Sequence, residues 1–306
     1  MEKILILKSY LQEKVWGSNN LKNYGIKIKN NQKIGEAWVV SGYENKSSII
    51  TNGKYKTVSL QELYKNHREL FNNYSSKQYP LLVKILDCNE KLSVQVHPDN
   101  KQASKLNSLG KNECWYILKA KKNANLVYGH NAKTKAEFKQ LVENKQWSKL
   151  LKNKLVKKDD LIYVPSKTIH AIGDGIVLYE LQQSSDITYR LYDYDRLENN
   201  VSRQLHIKES LSTIDAPFID NSKTIANAHD NYLVDNNYFC LQKIENKLTK
   251  AYDYNNQAYW LQLTVISGSG KIDNKKVEKG FTCLIVNNLS FNLTGNLKIL
   301  ISFIKK

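Results

Sequence analysis

Two histidines, a glutamate and a glutamine lie where one divalent cation would draw them together. In LSVQVHPD, side chains two apart on an extended strand project from the same face. Gln95 and His97 therefore point together, Val94 and Val96 face the other way, and Pro98 ends the strand. In GKNECWYIL, Glu113 opens a second strand with Trp115 and Ile117 on its face. In VPSKTIHAIGDG, a strand stops at Pro165 and His170 follows in a short segment closed by Gly173. Two imidazoles, a carboxylate and an amide oxygen form a mixed donor set. It suits one zinc per chain with an open position for water or substrate oxygens, and iron and manganese accept the same donors. An isolated histidine is more often a hydrogen-bonded residue than a ligand, and His67, His130, His206 and His229 are read that way. His97 and His170 differ, because each sits at a strand end beside a proline in a strand-rich chain whose barrel interior can collect them.

The elements that must position these residues are mostly strands. KILILKSY, EAWVVSGY, YPLLVKILD, LSVQVHP, CWYILKA, LIYVPS and IVLYELQQ are short, rich in Ile, Val, Leu and Tyr, and bounded by Gly, Pro, Asn or Asp. Helical spacing of apolar residues appears in LQELYKNHRELF and in TKAEFKQLVENKQWSKLLKN, and a shorter helix is expected near HIKESLSTI. The expectation is a mainly β fold with a few helices: a catalytic domain over residues 1–220, a connector in SKTIANAHDNY, and a smaller all-β domain over 221–306. SGSGKI, at Ser267 to Ile272, reads as a turn between strands, and it lacks the spacing of a phosphate-cradling loop. Chemistry therefore belongs to the first domain.

The chain has 306 residues, long enough to bury a large core without covalent staples. Cys88, Cys114, Cys240 and Cys283 form no CxxC pair and no regular framework, which fits buried thiols in a reducing compartment. The opening MEKILILKSYLQEKVWG has too short an apolar run for a secretory signal, no stretch is long enough to cross a bilayer, and a cytoplasmic location is expected. Lys and Arg number 46 against 29 Asp and Glu, a formal net charge of +17. The excess is mostly lysine scattered along the chain rather than gathered with aromatic platforms. That argues against nucleic acid as a partner and leaves an anionic small molecule compatible with the field.

Pro165 and His170, with four residues between them, resemble the second motif of cupin-type jelly-roll β-barrels, whereas the sixteen-position step from His97 to Glu113 requires an inserted loop. QVHPD, GKNECW and VPSKTIHAIGDG followed by ELQQSSDITYRLYDYDR together resemble the class I mannose-6-phosphate isomerases in their short bacterial form. EKVWGSNNL, GEAWVVSGY and YPLLVKILD match further segments of that family, and the resemblance is dense over about the first 200 residues. It implies a zinc enzyme interconverting mannose 6-phosphate and fructose 6-phosphate, with ligands at Gln95, His97, Glu113 and His170. It places the family's active-site lysine on Lys111 and its catalytic arginine on Arg190. Longer members carry His-Lys-Pro-Glu where this chain has Gly110-Lys111-Asn112-Glu113, so a proton-transfer role for that histidine does not carry over.

Aldose–ketose isomerisation moves a proton between adjacent carbons through an enediolate, so the site needs a base and a means of holding negative charge on two oxygens. Arg190 suits the second task, and Lys111 either carries the proton or orients a hydroxyl. Lys84, Lys105 and Ser184 are candidates for the phosphate, and Trp16 and Trp38 either cover the sugar or fill the core. The partner is a small sugar phosphate, with neither nucleic acid nor membrane involved, and the chain is expected to be a monomer or a homodimer. Rival readings are a metal cupin of another reaction type, such as an oxygenase, and a sugar-phosphate-binding cupin without catalysis.

Overall fold

The computed structural model describes residues 2–29, 31–198, 200–220, 229 and 231–306. Most of the connector expected at 222–232 lies outside these residues. The chain is mainly β, and two antiparallel sheets face each other as in a cupin-type jelly roll. One has six strands in the order Leu161–Val164, Glu113–Ala120, Ile176–Gln183, Leu81–Cys88, Ile34–Ser41 and Tyr10–Ser18. The other has five, in the order Tyr189–Tyr192, Val94–Val96, His170–Ile172, Asn125–His130 and Leu151–Leu155. Leu86, Trp115, Ile117, Val164 and Leu178 from the first sheet meet Leu126, Tyr128 and Ile172 from the second.

Both sheets are covered on their outer faces too, which explains why their strands read as nearly continuous apolar runs rather than as alternating ones. All eight residues of Leu81–Cys88 are buried. Val94, Val96, Val127 and Ala171 pack outward against Phe138 and Val142 of the helix Lys135–Glu143, and against Leu150 and Ile214. The outer face of the six-stranded sheet, with Val83, Tyr116 and Leu181, packs against Leu241, Leu284 and Leu300 of the terminal sheet. Leu63 and Tyr64 join this layer from the helix Leu60–Asn66, whose start is fixed by reciprocal hydrogen bonds between Ser59 and Glu62.

Both helical stretches are shorter than their apolar spacing predicts. The first is α-helical only to Asn66, and Arg68–Phe71 continues as a 3₁₀ turn. The second breaks after Glu143, where Lys145 adopts φ +51°. A single turn, Trp147–Leu150, follows, and the chain then enters the strand Leu151–Leu155, because that stretch completes the edge of the five-stranded sheet.

The terminal sheet has nine strands. Its spine is Ser290–Phe303, paired with Cys240–Asn246 and Lys250–Asp253 along one edge and with Leu261–Ile272 along the other. Ile4–Lys8, from the amino-terminal end, pairs with Thr282–Ile285, so pairing crosses the division expected at residue 220. SGSGKI is not a turn. Ser267 to Ile272 run inside the strand Leu261–Ile272 and pair with Ser290–Phe303, and Ser269 to Ile272 pair on the other side as well, with Lys275–Glu278. Gly268, at φ +85°, lies beside a register shift between Val265 and Ser267, so its glycine serves a bulge, and the chain reverses only at residues 273–274.

Candidate active site

His170 and Gln95 are register partners on adjacent strands of the five-stranded sheet, while Glu113 begins a strand of the facing sheet. The main chain ties these segments together: Lys111 N–H donates to the Pro98 carbonyl, and Lys167 N–H to that of His97. Gly110 permits the approach, since a Cβ there would stand 2.5 Å from the Asn100 nitrogen. Asn112, buried beside Glu113, accepts from Ser166 N–H and donates to the Gln183 side chain, fixing the mouth of the strand.

The result is a closed cluster. His97, Glu113 and His170 are at most 1 % exposed, and their ligating atoms all lie within 4.8 Å of one another. Glu113 Oε1 is 3.3 Å from His170 Nε2, and Oε2 is 3.7 Å from His97 Nε2. Each imidazole uses Nδ1 on a backbone carbonyl, His97 on Ile187 and His170 on Thr168, both at 2.8 Å. That bond places the proton on Nδ1 and leaves the Nε2 lone pair facing the carboxylate.

Burial sets the charge states. It holds the His170 pKa down at about 3, with Lys111 adding to the effect, and it holds His97 well below the usual imidazole value. Burial also raises Glu113 to about 7, against the pull of Lys111, whose Nζ stands 2.9 Å from Oε2. Apart from the Lys111 ammonium beside Oε2, neither Glu113 oxygen has a hydrogen-bond partner among the described residues. A buried carboxylate with one oxygen unpartnered, flanked by two neutral imidazoles with inward lone pairs, is costly unless a further cation completes it. These donors can bind a metal ion. Gln95 lies beside them, its side-chain nitrogen 3.4 Å from His170 Nε2, and a half-turn of the amide presents Oε1 to the same space.

A cavity of about 300 Å³ opens next to the cluster, lined by Gln95, Lys111 and Arg190, and by Trp16 and Lys84 as well. Lys105 and Ser184 do not line it. Lys105 is exposed on a 3₁₀ turn, and Ser184 is buried with its N–H donated to the Pro80 carbonyl. Lys84 is not a solvent-facing strand lysine: it is 5 % exposed, 3.2 Å from Glu180 and 3.8 Å from Glu36. Burial lowers its pKa, but the two carboxylates outweigh that and hold the ammonium above its ordinary value. Trp38 lies beneath this lysine as core and donates to Glu36.

Glu36, Glu180, Asp186, Ser93, Arg203 and His206 also line the cavity and were missed from sequence. The first two did carry a signal. A lone charge in a strand apolar on both faces, such as Glu180 in IVLYELQQ or Lys84 in LLVKILD, must find a partner inside. His206 makes the ordinary hydrogen bond expected of it, accepting from Arg190 N–H at Nδ1, and it faces the cavity as well.

Comparison with known proteins agrees with this architecture. Residues 4–140 match the model of the phosphomannose isomerase type I catalytic domain. The chain is 40 % identical over 276 residues to the mannose-6-phosphate isomerase ManA of Bacillus subtilis, covering 88 % of this chain and 87 % of that protein. It is 39 % identical to the mannose-6-phosphate isomerase of Streptococcus mutans, over 99 % of this chain and 98 % of the relative. A crystal structure of the mannose 6-phosphate isomerase from Bacillus subtilis superposes with a TM-score of 0.91 at 33 % identity, covering 99 % of this chain and all of that one. A phosphomannose isomerase from Salmonella typhimurium shares the fold at 15 % identity and a TM-score of 0.81, with full coverage of both chains. With its fold and sequence matched over nearly its whole length by these relatives, the chain belongs to the type I phosphomannose isomerase family.

Proposed function

We propose that this chain interconverts mannose 6-phosphate and fructose 6-phosphate, with one zinc held by His97, Glu113 and His170 and with Gln95 as the fourth donor. The reading rests above all on Glu113, a fully buried carboxylate with one oxygen against Lys111 and the other without a partner, set between two neutral imidazoles beside a polar cavity. The names of the aligned relatives supply mannose 6-phosphate, and fructose 6-phosphate is the 2-ketose to which that aldose isomerises. Zinc held by these residues would supply a Lewis acid to the site.

The chain's own residues supply the rest. Arg190 lines the cavity with a guanidinium oriented by the Ser93 hydroxyl and the Gln204 carbonyl, and this fixed charge stabilises the enediolate as it forms. Lys111 reaches the cavity from the ligand loop and is the group placed to move a proton between the two carbons or to hold the hydroxyl that exchanges one. Trp16 and Leu86 wall the cavity with apolar surface, which keeps water from the intermediate. The cytoplasm is the expected setting: Cys88, Cys114, Cys240 and Cys283 are free and buried, and no helix among the described residues is long and apolar enough to cross a membrane.

The test is a coupled assay on mannose 6-phosphate with purified protein. Turnover should vanish with a chelator and return with zinc. Fully metal-loaded protein that leaves mannose 6-phosphate unchanged would defeat the reading.

A further inference from the structure

The terminal sheet has a cavity of its own, of about 660 Å³, within the range of about 300 to 1,000 Å³ usual for small-molecule sites. No residue lines both this cavity and the catalytic one. Cys240–Asn246 and Lys250–Asp253 follow one another along the same edge of Ser290–Phe303. The first pairs with residues 297–303 and the second with 290–293, on either side of Gly295 at φ +94°. Tyr232–Asp235 covers the other side of Cys240–Asn246 only as far as Gln242, with a last bond from Lys243 N–H to the Asn231 carbonyl. Where that cover stops the cavity opens, between Gln242 on one strand and Tyr252 and Tyr254 at the end of the other.

Gln242 is the group that the fold leaves unanswered. It is 8 % exposed and its Oε1 accepts from the Tyr254 hydroxyl, but Nε2 has no hydrogen-bond partner among the described residues. Turning the amide over would free the oxygen instead, so one end of a side chain that is nine-tenths buried faces the cavity without a partner. Opposite it, the Tyr232 hydroxyl donates to Gln257 Oε1 at 3.1 Å, and Gln257 Nε2 reaches only the Asp253 carbonyl, at 3.4 Å. Both tyrosine hydroxyls have thus used their protons and keep lone pairs, while both amides keep hydrogens to donate. Ligand hydroxyls, each donor and acceptor at once, match that alternation. The half-buried Tyr252 ring, held nearly parallel to Phe291 at 5.5 Å, adds apolar surface for the C–H groups between such hydroxyls.

Charge narrows the class further. The lining has two lysines, Lys243 and Lys250, and two carboxylates, Glu245 and Asp253, so it is formally neutral in a chain of net charge +17. Lys243 also lies 3.4 Å from Glu245, which leaves that pair little pull on an anion. We propose that this cavity binds a neutral saccharide, with Gln242 and Gln257 donating to its hydroxyls, the Tyr232 and Tyr254 oxygens accepting from them, and Tyr252 against the sugar ring.

Methyl α-D-mannopyranoside and methyl α-D-glucopyranoside carry no phosphate and no free carbonyl, so isomerisation cannot consume them. Each is titrated into the metal-loaded full chain, as wild type and as Q242L, Q257A and R190A, by calorimetry and by saturation-transfer NMR observed on the glycoside. At least one glycoside should bind the wild type at millimolar concentration. Q242L and Q257A should each weaken binding by about three- to tenfold, the worth of one hydrogen bond, and R190A should bind as the wild type does. The proposal falls if neither glycoside binds at tens of millimolar, if Q242L and Q257A both bind like wild type, or if R190A abolishes binding. Gln257 is exposed, so Q257A carries the outcome should Q242L not fold. A wild type that binds the glycoside but leaves mannose 6-phosphate unchanged keeps this site and loses only the isomerase reading.

Discussion

The catalytic sandwich and the terminal sheet both bury polar side chains, but they treat them in opposite ways. In the terminal part Gln262 donates to the Tyr79 hydroxyl at 2.8 Å and accepts from Ser302 at 3.0 Å, and Asn246 donates to the Gly295 carbonyl at 2.9 Å. Among its described residues only Asn236 Nδ2 is left buried without a hydrogen bond. In the catalytic part Glu113 Oε1, Gln182 Oε1, His130 Nδ1 and the Tyr163 and Tyr179 hydroxyls are left so, while Glu113 Oε2 and Glu180 Oε2 each meet only a lysine ammonium. A satisfied buried polar group contributes modestly to stability, whereas one left unsatisfied costs stability and persists where something other than the fold uses it. At Glu113 the contrast separates a group that waits for a ligand from those that hold the protein together.

Substitution at the two places should break the contrast if it is wrong. The largest effect is expected from Glu113→Gln or His170→Ala, each of which should lose bound metal and reduce turnover to background together, as read by metal analysis beside the coupled assay. Metal retained at wild-type stoichiometry in either variant would remove that residue from the ligand set. Next comes Arg190→Ala, which should keep its metal and lose about a hundredfold or more in kcat, the usual worth of one preorganised donor to developing charge. An unchanged rate would strike Arg190 from the chemistry. The smallest effect is expected from Gln262→Ala, which should lower unfolding free energy by about 2 kcal/mol, because the Tyr79 and Ser302 hydroxyls lose their buried partner, while turnover per bound metal stays at wild type. Denaturant melts and the same assay decide it, and a changed rate would mean that the two parts are coupled.

Much of the metal cluster was legible because its rules are local. Alternation along LSVQVHPD puts Gln95 and His97 on one face whatever the rest of the chain does, and Glu113 and His170 stand at strand ends marked by proline or by a loop. The far end of the cavity was not legible. Arg203 and His206 reach it only because segment 203–206 folds over Arg190, a contact set by non-local packing that leaves no periodicity. Lys105 lies outside the cavity lining for the converse reason: abundant lysine says nothing of direction. Strand content was readable from Ile, Val and Tyr, but SGSGKI misled because glycine and serine in a strand signal a bulge as readily as a reversal.

The pairing of Ile4–Lys8 with Thr282–Ile285 bears on how the protein is made. This strand leaves the ribosome well ahead of its main partner, which is made more than 270 residues later. At about 5 to 20 residues per second, it waits roughly 15 to 60 s with an unpaired, apolar edge. During that interval the sandwich can close from its own strands, and the terminal sheet cannot. The order of synthesis thus leaves the last layer, and its seam with the first residues, as the step most open to chaperones and to mispairing between nascent chains.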